Sequence, residues 1–175
     1  FSVGPFKLEL ITLTHSIPEP NAVVLQTAVG SVMHTGDWKI DPDPVVGLTT
    51  DEQRLIEVGE EGVLAMVCDS TNVFVPGTSG SEGDLRENLE VLVAKCKRRA
   101  VVACFASNVA RLETIARVGE ATDRSVALVG RSLWRIYESA KENGYLTDIP
   151  PFITEKDVGY MPSDRVLMIC TGSQG

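Results

Sequence analysis

The chain has 175 residues, 43% hydrophobic and 23% charged, with a formal net charge of −8. That length buries a real core, as one domain or two small ones, and no apolar run reaches the ~18 residues that a membrane helix needs. The acidic balance argues against broad, non-specific nucleic-acid binding, which shows as a basic surplus.

The first forty or so residues alternate apolar runs with short turns. Lys7-Leu8-Glu9-Leu10 alternates strictly, as a half-buried strand does. Ala28-Val29-Gly30-Ser31 reads as the turn of a hairpin joining Val23–Thr27 to Val32–Thr35. Pro42, Pro44 and Gly47 mark a loop over 41–48. Thr50-Asp51-Glu52 then opens a short helix with Leu55, Ile56 and Val58 on its apolar side and Thr50 as its N-cap.

From Val63 the period changes. Val63–Cys68 reads as a buried strand. Asp84–Cys96 reads as an amphipathic helix with Leu85, Leu89, Leu92, Val93 and Cys96 inward, and Ser81 and Asp84 as its capping pair. Ala100–Phe105 is a strand, Val109–Val118 a helix, Ser125–Val129 a strand, and Ser132–Glu142 a helix stopped by Asn143-Gly144. Arg165–Cys170 is the last strand. This alternation predicts a parallel sheet over 63–175 with helices on both faces. Lys95, Lys97, Arg98 and Arg99 form a basic knot that reads as a cationic helix C-terminus. The four cysteines, at 68, 96, 104 and 170, show no CxxC pair and read as reduced, buried thiols of a cytosolic protein. Both ends, Phe1-Ser2-Val3-Gly4 and Thr171-Gly172-Ser173-Gln174-Gly175, read as cuts within a longer polypeptide.

The candidate chemistry sits at strand ends. Thr14-His15-Ser16 closes the run Leu8–Leu13, and His34-Thr35-Gly36-Asp37 closes the hairpin. Imidazole and carboxylate delivered from neighbouring strand ends are the donors of hydrolytic metal sites. His34 reads as a residue that orients the turn before Asp37. Further on come Asp69-Ser70-Thr71-Asn72, Ala106-Ser107-Asn108 with Arg111 one turn into a helix, Gly130-Arg131-Ser132, and Thr171-Gly172-Ser173-Gln174-Gly175. Ligands of a parallel sheet bind outside the carboxyl ends of its strands. Helix N-termini there favour anions, and Arg111 and Arg131 add bidentate phosphate donors. Asp69 alone reads equally as a turn residue capping Thr71 or Asn72.

Taken in order, Thr14-His15-Ser16-Ile17-Pro18, His34-Thr35-Gly36-Asp37-Trp38-Lys39, Cys68-Asp69-Ser70-Thr71-Asn72, Phe105-Ala106-Ser107-Asn108, Gly130-Arg131-Ser132 and Thr171-Gly172-Ser173-Gln174-Gly175 resemble ribonuclease J, of the β-CASP group in the metallo-β-lactamase superfamily. The resemblance implies an α/β chain in two parts. Residues 1–79 would be the later part of a metallo-β-lactamase αββα sandwich, and residues 80–175 a β-CASP domain incomplete at its C-terminal end, with RNA in the cleft that they form. It implies that His15 and Asp37 are metal ligands, Asp37 bridging two zinc ions, and that Asp69 is an acid supporting a leaving-group histidine. Ser107, Asn108, Arg111, Arg131, Ser132, Ser173 and Gln174 would bind RNA phosphates.

The resemblance further implies a cytoplasmic, non-membrane ribonuclease, endo- and 5′–3′ exonucleolytic, that oligomerises through a C-terminal region beyond these residues. His15 and His34 are the only histidines, so the family's HxHxDH motif and later histidines are not in this chain, and Ala110 stands where many relatives carry histidine. The chain by itself is therefore expected to be inactive and to hold little zinc. A DNA-processing β-CASP nuclease and a non-catalytic RNA- or nucleotide-binding α/β module are the alternatives.

Overall fold

In the computed structural model, which describes residues 1–172, the chain separates into two compact units, Phe1–Ser81 and Glu82–Gly175. The alternating apolar positions of the first become strands β1 (Ser2–Val3), β2 (Phe6–Thr12), β3 (Asn21–Thr27) and β4 (Gly30–His34). Helix α1 (Glu52–Glu61) follows, then β5 (Ala65–Val67). The five strands form one sheet in sequence order, antiparallel from β1 to β4, with β5 parallel to β4. A parallel partner requires a crossover, and the segment carrying α1 supplies it. Ile11 faces Ala22 and Val24 faces Met33 across the ladders. These four residues, with Leu13 and with Val58 of α1, make the core of this unit, against which Leu55 and Val63 pack.

Several local expectations need correction here. The N-cap of α1 is Asp51, whose Oδ1 accepts the Arg54 N–H at 3.0 Å. Thr50 is committed elsewhere, its hydroxyl accepting the Thr14 N–H at 3.1 Å. Ile56 is exposed, so the buried stripe of α1 is narrower than the expected one. The Arg54 guanidinium forks onto Glu9 of β2, at 2.6 and 3.0 Å, and fixes the helix over the sheet. β5 is shorter than expected and is exposed, not buried, with Met66 61% accessible. Its only strand partner among the described residues is β4, so it stands at an edge.

The second unit contains α2 (Leu85–Ala94), β6 (Ala100–Ala103), α3 (Val109–Ala121), β7 (Ser125–Val129), α4 (Arg131–Glu142), β8 (Ile153–Thr154) and β9 (Val166–Cys170). Its sheet is wholly parallel, in the order β6-β9-β7-β8. The parallel sheet therefore begins at β6, and the strand expected at 63–68 belongs to the other unit. On α3 the residues that the period turns inward, Val109, Leu112, Ile115 and Ala116, are buried, and Ala110, Thr114, Val118 and Gly119 are buried with them. Gly119 lets α3 approach β7 closely: a Cβ there would lie 2.3 Å from Val126 Cγ2 and 2.9 Å from the Arg124 carbonyl oxygen. On α4, Leu133, Tyr137 and Ala140 are buried and Asn143 closes the helix.

Helix α2 departs most from its prediction. Only Val93 is buried; Leu92 and Cys96 are exposed. The Ser81/Asp84 capping pair does not form: Asp84 makes no side-chain cap bond, and the Ser81 hydroxyl donates to the Asp43 carbonyl at 2.8 Å. In the basic knot, Lys95 is the C-cap residue and Arg99 donates to the Val158 carbonyl. Cys68, Cys104 and Cys170 are half-buried and Cys96 is exposed, where buried thiols were expected. β8 and the 3-10 turns at Asp157–Tyr160 and Ser163–Arg165 carry no period in the sequence. They close the unit by packing Val158 and Met161 against Ala127, Val166 and Met168. Among the described residues no helix is long and apolar enough to cross a membrane.

Candidate functional site

In unit 1, β2, β4 and β5 run in one direction and β3 returns between β2 and β4. Their carboxyl ends therefore emerge at one edge of the sheet. His15 follows β2, Asp37 follows β4 and Asp69 follows β5. The edge is cross-tied. Thr14 and Lys39 form an isolated antiparallel bridge, with the Lys39 N–H donating to the Thr14 carbonyl at 3.0 Å. The buried Thr14 hydroxyl donates to the Lys39 carbonyl at 2.5 Å and accepts the Asp41 N–H at 2.9 Å. The Thr35 hydroxyl accepts the Asp69 N–H at 3.1 Å, and the Trp38 indole N–H donates to the Asp69 carbonyl at 3.2 Å. His34 accepts the Gly36 N–H on Nδ1 at 3.0 Å and so holds the turn, with Gly36 at a φ of +62°.

The Thr14, Thr35 and Trp38 ties escaped sequence reasoning. Their one signal is a threonine beside each strand-end histidine, in Thr14-His15 and His34-Thr35.

Asp69 makes the turn expected of it as a capping residue: Oδ1 accepts both the Thr71 N–H at 2.9 Å and the Thr71 hydroxyl at 2.5 Å. The Thr71 hydroxyl bond is the main cause that holds its carboxyl below the usual range; the Thr71 amide adds to this, and so does the His15 imidazole. The His15 Nδ1 lies 3.2 Å from the Ser16 hydroxyl, an orienting contact that leaves Nε2 for a ligand. Asp37 is exposed.

An imidazole and carboxylates at one edge suit zinc in kind. In number they fall short: among the described residues no three His, Cys, Asp or Glu side chains converge as a metal site.

In unit 2 the register Ala103↔Cys170↔Val129 brings the ends of β6, β9 and β7 out side by side. The expected edge therefore carries three of the four polar tips, and the fourth, Asp69, is on the other unit. Asn108 is the N-cap of α3, its Oδ1 accepting the Arg111 N–H at 2.8 Å. The Arg111 guanidinium forks onto Glu82, at 2.5 and 3.1 Å, and this pairing raises its pKa. Two of the predicted phosphate binders thus already have intramolecular partners. Ser107 and Arg131 are exposed and Ser132 is half-buried at the start of α4, whose N-cap Gly130 has a φ of +113°. Cys104 lies near Arg111, but burial is the larger influence and pushes its thiol pKa up. Ala110 is buried within α3. Ser173 and Gln174 lie outside the described residues.

Comparison with known proteins gives one answer along the chain. Residues 97–175 match the family model described as ribonuclease J, beta-CASP domain. A ribonuclease J of Sinorhizobium meliloti is 47% identical over 174 residues, 99% of this chain and 31% of that protein. One from Corynebacterium glutamicum is 42% identical over 98% of this chain and 24% of its own length. One from Thermus thermophilus is 36% identical over 97% of this chain and 30% of its own length. The chain thus spans about a quarter to a third of these relatives. A crystal structure of a protein of unknown function from Enterococcus faecalis has the same fold, with a TM-score of 0.63 at 17% identity over 99% of this chain and 43% of that one. By these matches residues 97–175 resemble the beta-CASP domain of ribonuclease J, and nearly the whole chain is similar to an internal stretch of proteins named ribonuclease J.

Proposed function

We propose that this chain is part of a metal-dependent ribonuclease that hydrolyses RNA phosphodiester bonds, endo- and 5′–3′ exonucleolytically, in bacterial cytoplasmic RNA processing and decay. The observation that carries the reading is the shared edge of β2, β4 and β5, where His15, Asp37 and Asp69 come out on strands cross-tied by Thr14, Thr35 and Trp38. The curated relatives named ribonuclease J support it.

Within it, His15 and Asp37 are the ligands that this chain offers to a pair of zinc ions. Zinc, when bound, supplies a Lewis acid and a nucleophile at neutral pH. Asp69 stays ionised at neutral pH, its charge held by Thr71, and orients a neighbouring proton donor. Ser107, Arg131 and Ser132 hold phosphates at strand ends and a helix N-terminus, which positions the backbone without reading sequence. Asn108 contributes by capping α3, and Arg111, Ser173 and Gln174 complete the set. The intact protein works as a homo-oligomer. Two donors do not hold two zinc ions, so the 175-residue polypeptide alone is inactive.

The test is a substrate panel. The intact protein carrying this chain is expected to cleave single-stranded RNA, spare DNA of the same sequence, lose cleavage on chelation and regain it with zinc. Equal cleavage of DNA would favour a DNA-processing nuclease, and RNA binding without cleavage at any metal level would favour a non-catalytic module. The 175-residue polypeptide, dialysed against a mild chelator, is expected to retain less than stoichiometric zinc; two tightly held ions would overturn the ligand count.

A further inference from the structure

The site edge of unit 1 carries an aromatic ring that the hydrolytic chemistry leaves unused. Trp38 follows Asp37 directly and is 37% exposed, although a tryptophan side chain is mostly apolar. Its single donor, the indole N–H, is spent on the Asp69 carbonyl at 3.2 Å. The backbone on its other side is fixed as well, because Lys39 is bridged to Thr14 by the N–H bond at 3.0 Å and the hydroxyl bond at 2.5 Å. The ring is thus pinned at its edge to the residue that carries one candidate acid and joined by the chain to the other. Phe74 is barer still, at 97% exposed, but no hydrogen bond can tether its ring and nothing ties it to these acids.

A rigid aromatic face without a remaining donor cannot read base edges. It can stack any base, which is how single-stranded nucleic acid is gripped without sequence preference. Resting on the ribonuclease reading above, we propose that Trp38 is a stacking platform for one nucleobase of the RNA strand, at the nucleotide seated beside Asp37. Stacking needs no net positive charge, which suits a chain of net charge −8. It sets which nucleotide is seated at the chemistry, and Trp38 is a positioning residue by this account.

The experiment measures binding of a short single-stranded RNA to the intact protein in an Asp37→Asn background, which prevents cleavage. The RNA is compared with copies that carry one abasic nucleotide at each position in turn, against Trp38, Trp38→Leu and Trp38→Phe. One abasic position is expected to weaken binding about five- to 150-fold with Trp38 present. The same position should cost almost nothing further in Trp38→Leu, and Trp38→Phe should keep most of the coupling. The salt dependence of binding should be the same in all three, because no phosphate contact is removed. Losses that multiply independently, or the absence of any sensitive position, would overturn the stacking role while leaving the ribonuclease reading intact. Failure of the Asp37 protein to bind RNA at all would overturn both.

Discussion

The two units bring polar groups to a strand edge by different means. In unit 1 an antiparallel strand separates β2 from β4, and the edge groups are tied from one strand end to another: Thr14 to Lys39, Thr35 to Asp69, Trp38 to Asp69. In unit 2 every strand is parallel, and the edge groups are tied locally, to the helix each tip feeds, as Asn108 is to the Arg111 N–H. Cross-strand ties fix distances among groups that, under the proposed function, act together. Local caps fix each tip independently, which under the proposed function suffices to grip a backbone at separate points. Individual strands differ as well: β7 and β9 of unit 2 are lined by fully buried Leu128, Leu167 and Ile169, whereas β5, an edge strand of unit 1, lies open.

The largest expected effect tests these strands. Leu128→Ala should cost about 2–5 kcal/mol in unit 2, whereas Met66→Ala in β5 should stay within about 0.5 kcal/mol of neutral. Hydrogen exchange resolved by unit would show it, and comparable losses at both positions would mean that the two strands are equally covered. Next comes the cross-tie. Thr14→Val leaves the Lys39 carbonyl and the Asp41 N–H without their shared hydroxyl and should cost about 1–3 kcal/mol. Faster amide exchange should follow over 37–41 and not over 104–108; equal changes in both segments would dissolve the distinction between tied and capped edges.

The smallest effect is in pH. The Asp69 carboxyl is depressed chiefly by the Thr71 hydroxyl, so its contribution to stability is present above the unfolded carboxyl value and is lost as pH falls through the folded one. The Glu113 carboxyl is raised by burial, so the folded unit 2 binds that proton more tightly, and stability is gained as pH falls through its folded value. Carboxyl NMR titration should place Asp69 below and Glu113 above the ordinary ranges. Thr71→Val should bring Asp69 back toward its own, and an unmoved Asp69 would remove the hydroxyl as the cause.

Much of this fold was legible because period and punctuation agreed. Ser125–Val129 and the inward face of α3 follow directly from spacing, and Asn143-Gly144 ends α4 where a left-handed glycine permits. What the sequence hid was partnership. Val63–Cys68 is apolar enough to read as a buried strand, but burial depends on what pairs with it, and β5 has β4 on one side. Thr50 and Ser81 are good caps by type and were claimed instead by Thr14 and by the Asp43 carbonyl. At the site, residue types placed His15, Asp37 and Asp69 at strand ends, but their common edge needed the strand directions. The engagement of Arg111 by Glu82 spans a gap that no local pattern reports.

The division of labour is tested most directly by turnover and affinity in one assay. Asp37→Asn and Arg131→Ala in the intact protein are compared for single-turnover RNA cleavage at saturating protein and for RNA binding. The account predicts that Asp37→Asn abolishes cleavage while binding survives. It predicts that Arg131→Ala weakens binding, with a shallower salt dependence, while the rate at saturation is kept. Cleavage that survives Asp37→Asn would contradict it.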